Sequence, residues 1–451
     1  MDRPIRSEDD LLAIFFEACS SEQLLGVESE KFGVVRGTLA PLRYHGPGAS
    51  VETLFERLSK AHGWRPVVEK PGAPVVALER IGRHGRTASI TLEPGAQFEL
   101  SGEALSDVHQ VDAELEEHLG ELEAVSEGLD LAWLATGFHP LARQDELPWV
   151  PKDRYAIMRE YFPTRGSRGL DMMRRTATVQ VNLDFSSEAD AMRKLSIALR
   201  LSPIATAIFA NSPLLEGRPT GRLSERACVW LDADPDRTGL LPKLWRPGAT
   251  FRDYAAFALD APMYLFKREG TVFANTGQSF RSFWQDGFEG ERPTTGDWKM
   301  HLATMFPEVR LKTTLEMRSA DSQPRSTYAA LAALWAGLLY DERALGEAEE
   351  LVAPLRHEEL ALARRGIAER GLEVREGSVD VRELAERMLG IARGGLSRRA
   401  RLDASGRDEG RHLDALEALV STGRSPAHRL LEAVGHSPDP ASILAAARIG
   451  D

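Results

Sequence analysis

From residue 176 to 185 the side chains alternate: Ala177, Val179, Val181, Leu183 and Phe185 fall on odd positions, Thr176, Thr178, Gln180, Asn182 and Asp184 on even ones. A period of two is a strand with one packed face and one free face. Three further stretches share it. In "GVESEKFGVV" Glu28 and Glu30 lie opposite Val27 and Ser29, and in "TASITLEPGAQFEL" Ala88, Ile90 and Leu92 oppose Ser89, Thr91 and Glu93. "VRLKTTLEMRS" reads as one long strand, with Val309, Leu311, Thr313, Leu315 and Met317 on one side and Arg310, Lys312, Thr314, Glu316 and Arg318 on the other. Half-buried strands separated by long helical stretches predict an α+β fold, a mainly antiparallel sheet with helices packed on one face.

The helical stretches include residues 106–128, 186–202 and 326–353. The second opens "SSEAD", a serine cap with an acidic first turn, ahead of Ala191, Leu195, Ile197, Ala198 and Leu201. Near the N-terminus Ser7 is the expected cap. Glu8, Asp9 and Asp10 suit the positive end of the helix dipole, and Leu11, Ile14, Phe15 and Ala18 share a face. From about residue 326 the pattern is mostly helical, closing with a helix, turn, helix in "DALEALVSTGRSPAHRLLEAVG". Gly- and Pro-rich stretches at 163–169, 212–221 and 287–297 read as loops. With no internal repeat and no long linker, residues 1–451 are expected to form one domain.

Composition narrows the function classes. The 56 basic and 68 acidic residues give a net charge of −12, which argues against a nucleic acid or an anionic membrane surface as partner. No apolar run reaches the length of a membrane span, about 18 residues. The first apolar run follows acidic residues and lacks a small-residue cleavage signature, so no leader is expected. Only Cys19 and Cys228 are present. That excludes a disulfide framework and a purely thiolate metal site, and it suits a reducing cytoplasm. Cys228, in "RACVWLD", alternates like a strand residue and reads as packed core.

The free strand faces gather Glu28 and Glu30, Glu93 and Glu99, Gln180 and Asn182, then Glu316 and Arg318. The sharp turn at Pro94 and Gly95 lets Glu93 and Glu99 converge. Carboxylates held together on one face repel one another unless cations compensate. Such hard oxygen ligands suit Mg²⁺ or Mn²⁺, and Mg²⁺ is commonly held by a few carboxylates with substrate phosphates. For any single strand a merely hydrated face is the plainer reading; recurrence of carboxylates across strands favours a phosphate-transfer centre.

Common alternatives are missing. There is no GxxxxGK[ST] loop, no G-x-G-x-x-G after a strand, and no G-x-S-x-G, and the histidines show no metal spacing. "PTRGSRGLD" is a weak anion-loop signal whose Arg165 and Arg168 read as surface residues. "NSPLLEGRPTGRLSER" is richer: Gly217, Pro219 and Gly221 with Arg218, Arg222 and Arg226 read either as a basic loop over phosphates or as a plain surface loop.

Taken in order, "GVESEKFG", "SITLEPGAQFELSG", "GLDMMRRTATVQVNLDFSSEADAMRK", "PIATAIFANSPLLEGRPTGRLSERACVW", "DWKMHLATMFPEVRLKTTLEMRSAD" and "GLLYD" resemble the plant-type glutamate-cysteine ligases, also found in bacteria, from about residue 10 to the C-terminal helices. The resemblance implies the glutamine synthetase-like fold, an antiparallel sheet forming a bowl with the site inside and helices outside. It also implies a reaction: the γ-carboxyl of L-glutamate is joined to the amine of L-cysteine with cleavage of ATP, through γ-glutamyl phosphate. Residues 1–451 would then be a single catalytic domain. By the same resemblance Glu28, Glu30, Glu93, Glu99 and Glu316 hold more than one Mg²⁺ ion, Mn²⁺ being possible, and Gln180 stands close to metal. Arg226 and Arg318 serve the phosphates and the substrate carboxylate; Asn182 and Tyr264 contact substrate. No nucleic acid, membrane or obligate protein partner is implied.

One departure matters. Plant members carry cysteines after "PMY" that support redox regulation, whereas residues 260–300 here contain none and Asn275 occupies one such position. No thiol switch or redox-dependent dimer is therefore expected. Two other readings stay open at this point: a glutamate ligase using another amine, and a catalytically silent glutamate- or nucleotide-binding protein.

Overall fold

The computed structural model describes residues 2–449. Its axis is the 11-residue strand β1 (Leu25–Val35). The other sheet strands are β2 (Arg65–Val68), β3 (Val75–Ile81), β4 (Thr87–Leu92), β5 (Phe98–Ser101), β6 (Leu131–Leu134), β7 (Thr178–Leu183), β8 (Val309–Leu311) and β9 (Leu315–Asp321). They form a nine-stranded sheet in the order β8-β9-β7-β1-β5-β4-β3-β2, with β6 also paired to β1. Every pairing in it is antiparallel, and the order runs from β8 to β2 without closing into a barrel.

Parity is as the alternation requires. Val179, Val181 and Leu183 are fully buried, as are Leu315 and Met317 beside them. Helix Glu188–Ile208 packs against β8 and β9, and the apolar helix Ala330–Leu339 lies against β7 and β1. Behind the latter runs helix Val381–Arg399, so close that a Cβ on Gly395 would meet the Gly337 carbonyl oxygen at 1.9 Å. Only glycine allows that approach. One charged residue lies on the packed side of β1: Lys31, fully buried, donates to the Ser29 carbonyl at 2.9 Å and sits 3.2 Å from His118 Nε2.

Four expectations are corrected. Residues 309–319 are a hairpin rather than one strand, because Lys312 N donates to Thr314 O at 3.0 Å and the chain reverses there. The stretch 326–353 is two helices, Ala330–Leu339 and Glu342–Val352, since Asp341 adopts an extended backbone and caps the second. Helix 186–202 continues to Ile208 through Pro203. Cys228 lies in helix Glu225–Trp230, not a strand, although it is packed as expected. The N-terminal helix is Glu8–Phe16, with Ser7 and Asp10 in a reciprocal cap. Among the described residues no helix is long and apolar enough to cross a membrane.

Candidate active site

Strand register, more than sequence proximity, assembles the site. Glu28 stands opposite Gln180 on one side and Ser101 on the other. Glu30 faces Glu99, which in turn faces Thr91. Glu316 faces Asn182 across β9 and β7, and Arg310 across the hairpin. Between Met317 and Ala320 the register shifts by a bulge. The bulge carries Arg318, whose Nη1 donates to Gln180 Oε1 at 2.6 Å and also reaches Glu316. Bulges are a common means of aiming a side chain beside a site.

Glu93 arrives from a turn. Its N–H donates to Gln97 O at 3.0 Å, and Ala96, at φ 64°, donates back to Glu93 O at 2.9 Å. Gly95 lets this turn press on the chain entering β7, because a Cβ there would lie 2.4 Å from Arg174 O. Gln97 completes the bolt, its Nε2 donating to Thr176 O at 2.8 Å. Arg226 is placed by a buried hub: Asp321 accepts from Ser212 Oγ, Ser224 Oγ and Asn211 N at 2.7–3.0 Å. Ser224 caps the helix that bears Arg226, and Arg168, expected on the surface, holds Glu225 of that helix at 2.8 Å. Arg226 Nη2 donates to the Arg318 carbonyl at 2.9 Å.

The electrostatics separate the carboxylates into two groups. Burial, then Glu316 and Glu99, push the Glu28 carboxyl up to about 7, against Lys312 and Arg310. Burial, then Glu93 and Glu99, push Glu30 well above the usual carboxylate range, against Arg226 and Arg318. Glu99 is raised by burial and by Glu93, although it accepts from Thr91 Oγ1 at 2.7 Å. Glu93 and Glu99 therefore act on Glu30, and Glu99 also reaches Glu28, which with Gln180 stands beside Glu316. Glu316 itself is fully buried. Burial would raise it, yet Arg310, Lys312 and Arg318 together hold it well below the usual range. Among the described residues, no three His, Cys, Asp or Glu side chains are arranged as they stand to hold a metal ion. Substrate oxygens would have to complete any such shell, as is common for Mg²⁺.

Asn182, half-buried, donates to Glu28 Oε1 at 2.9 Å and accepts from Thr314 Oγ1 at 2.8 Å. Tyr264 is not brought to this group. It is 2% exposed and stacks on the Arg237 guanidinium, 3.8 Å from ring centroid to carbon, beside Tyr161 and Phe162. Its separation follows from the packing of the segment after Pro262, which binds Arg237 through a carbonyl.

Three cations belong to the site without having been assigned roles from the sequence. Arg310 and Lys312 were visible as members of the polar set of their segment, since they share the parity of Glu316. Lys152 had no such signal. It lies in a loop, donates to Leu92 O at 2.9 Å, and is pushed down to about 8 by burial and Arg154, against Glu93 and Glu99.

Known proteins resemble the chain in sequence and in fold. A family model, glutamate-cysteine ligase family 2, matches residues 24–444. The chloroplastic glutamate-cysteine ligase of Brassica juncea is 43% identical over 443 residues, 96% of this chain and 83% of the relative. That of Arabidopsis thaliana is 42% identical, covering 96% and 82%. In structure the chain is similar to a glutamate-cysteine ligase from Francisella tularensis, solved in complex with AMP, with a TM-score of 0.55 at 12% identity, over 95% of this chain and 88% of that one.

Proposed function

The chain belongs to glutamate-cysteine ligase family 2, and from that premise we propose a division of labour among the residues of its carboxylate-lined face. The protein is an ATP-dependent glutamate-cysteine ligase, which catalyses the first step of glutathione synthesis. In the proposed course the glutamate γ-carboxylate attacks the γ-phosphorus of ATP, and ADP leaves. The cysteine amine then attacks the acyl carbon of γ-glutamyl phosphate, phosphate leaves with the acyl–oxygen bond, and the amine gives up a proton.

No protein nucleophile is needed; the chain supplies position and charge. Arg226 and Arg318 present guanidinium forks suited to phosphate or carboxylate oxygens. Arg310 and Lys312 fix Glu316 on its strand. Asn182, tied to Glu28, fits a contact to bound glutamate. Glu28, Gln180 and Glu316 on one side, and Glu30, Glu93 and Glu99 on the other, would hold Mg²⁺, with Mn²⁺ as a substitute. The fit rests on Glu28, Glu30 and Glu99, which lie side by side on the strands. Each is raised by burial and by neighbouring carboxylates, Glu28 by Glu316 and Glu99, Glu30 by Glu93 and Glu99, and Glu99 by Glu93, which is excess negative charge that a cation relieves. When bound, the cations neutralise phosphate charge. Two free cysteines suit a reducing compartment, and the proposal places the protein in the cytoplasm.

The observation that carries this reading is the register in which Glu28 faces Gln180 and Glu30 faces Glu99. The test is ADP release with glutamate and a panel of amines, with and without Mg²⁺, with the product identified by mass. Release that ignores Mg²⁺, or a preference for an amine other than cysteine, would overturn it.

A further inference from the structure

The basic loop singled out in the sequence does not bring Arg218 and Arg222 to the carboxylates. Residues Leu214–Leu215 and Arg218–Pro219 pair as a short hairpin. The hairpin forms one wall of a solvent-open cleft of about 1030 Å³, whose other walls are the chain after β1 and the segment 141–146. Four arginines line it: Arg43, Arg143, Arg218 and Arg222. None of the bowl carboxylates does.

The charge in this cleft is only partly balanced from within, four arginines facing two carboxylates. Arg222 is held by Glu225 at 2.7 Å. The guanidinium groups of Arg43, Arg143 and Arg218 have no hydrogen bond or ion pair among the described residues. Two carboxylates share the wall: Glu146 lies in the cleft and accepts from the Arg143 backbone N–H at 2.7 Å, while Glu216 pairs with Arg175 at 3.3 Å. In a chain of net charge −12, unpaired arginines converging from separate segments on one opening are not explained by composition. Between them the wall is apolar, with Leu141 and Leu215 half-buried.

We propose that this cleft is a second ligand site, for a small organic polyanion carrying two or more phosphate or carboxylate groups on an apolar frame. Planar guanidinium groups bind such oxygens in pairs, and three of them spread around one cleft select a ligand with several anionic groups over a single carboxylate. The leucine wall takes the frame between those groups. The volume suits a molecule of nucleotide size or smaller. The site adds to the ligase reaction and uses none of its residues.

The test uses the full chain without divalent metal. Inorganic triphosphate and citrate are titrated separately by calorimetry, at low and raised salt, into the parent, into Arg43→Ser/Arg218→Ser, and into Arg43→Lys/Arg218→Lys. Binding to the parent that saturating ADP does not displace is expected for at least one probe, one site per chain; the tighter probe tells phosphate from carboxylate as the preferred group. Affinity should fall at least tenfold in the serine variant and less in the lysine variant, while ADP release without either probe stays at the parental rate. Equal affinity in parent and serine variant, or no binding of either probe to the parent at low salt, would overturn the proposal.

Discussion

Arg310 and Glu316 lock together across the β8–β9 hairpin, with Arg310 Nη2 2.7 Å from Glu316 Oε1 and Nε 3.0 Å from Oε2. Both are buried, so this is an ion pair inside the protein rather than on its surface. Breaking a buried pair outright costs about 3–5 kcal/mol; here Lys312, 2.9 Å from Glu316 Oε2, and Arg318 still face the carboxylate, so the loss lies below that range. Arg310→Met should therefore lower the urea midpoint markedly. The double variant Arg310→Met/Glu316→Leu, which also unpairs Lys312 and Arg318, should recover only part of that stability and none of the activity. A double variant as unstable as the single one would show that the pair matters for packing alone.

Glu93 tests the site without that complication, because it stands half-buried on a turn and its carboxylate makes no hydrogen bond or ion pair among the described residues. Glu93→Ala should keep the parental thermal midpoint within a few degrees and lose turnover by a factor of at least about 100, the scale of one lost electrostatic contact to a transition state. Removing Mg²⁺ with a chelator should abolish parental activity, and adding it back should restore it. A folded Glu93→Ala enzyme with near-parental turnover at saturating Mg²⁺ contradicts its place among the carboxylates proposed to hold Mg²⁺.

Asn182 bridges Glu28 and Thr314, whereas the Thr176 hydroxyl donates to the Met172 carbonyl before β7 begins. Asn182→Ala should raise the KM for glutamate several-fold more than Thr176→Ala does, with the KM for ATP changed less. Equal effects of the two substitutions would remove Asn182 from the substrate contacts.

Glu114 gives a pH signature of stability. Burial, and to a lesser degree Glu103, raise its carboxyl from 4.5 to about 7, although Glu103 N donates to it at 2.8 Å. The folded chain therefore binds this proton more tightly than the unfolded chain. The stabilisation is fully present below pH 4.5 and is lost as pH rises through about 7. Its size is on the order of 2 kcal/mol after allowance for partial exposure. In Glu114→Gln the fall in urea midpoint between pH 5 and 8 should be shallower than in the parent; an unchanged slope would assign the effect to other groups.

Reductants and oxidants should change the rate less than twofold, measured with an acceptor amine that has no thiol. Cys228 is buried and Cys19 partly so, and burial pushes both thiols up, away from the reactive thiolate. Asn275, where a plant cysteine is expected, is itself buried and donates to Gln278 Oε1 at 2.8 Å. A large reversible change, lost in Cys19→Ser or Cys228→Ser, would reveal a switch of a different kind.

The sequence by itself determined which side chains share a face. Period two put Gln180 with Asn182 and Glu28 with Glu30, since successive Cβ atoms must point to opposite sides of a pleated strand. Caps at Ser7 and Ser187 were equally local, because a hydroxyl two or three residues ahead of an orphan N–H is a short-range contact. Only the tertiary structure decided which strands are neighbours. Glu28 and Gln180 are 152 residues apart, and nothing in either strand's alternation specifies that pairing or excludes a slip by two residues. The same limit hid the reversal at Lys312, where hairpin and straight strand give one parity. It also hid Lys31, whose burial depends on His118 from a helix on the packed side, and Lys152, a loop cation without periodicity. The placing of Tyr264 was hidden for a related reason: an aromatic residue carries no directional signal, and its partner Arg237 was chosen by packing. Parity is a property of one strand, whereas a site is a property of several, and their arrangement follows from burying all the apolar faces at once.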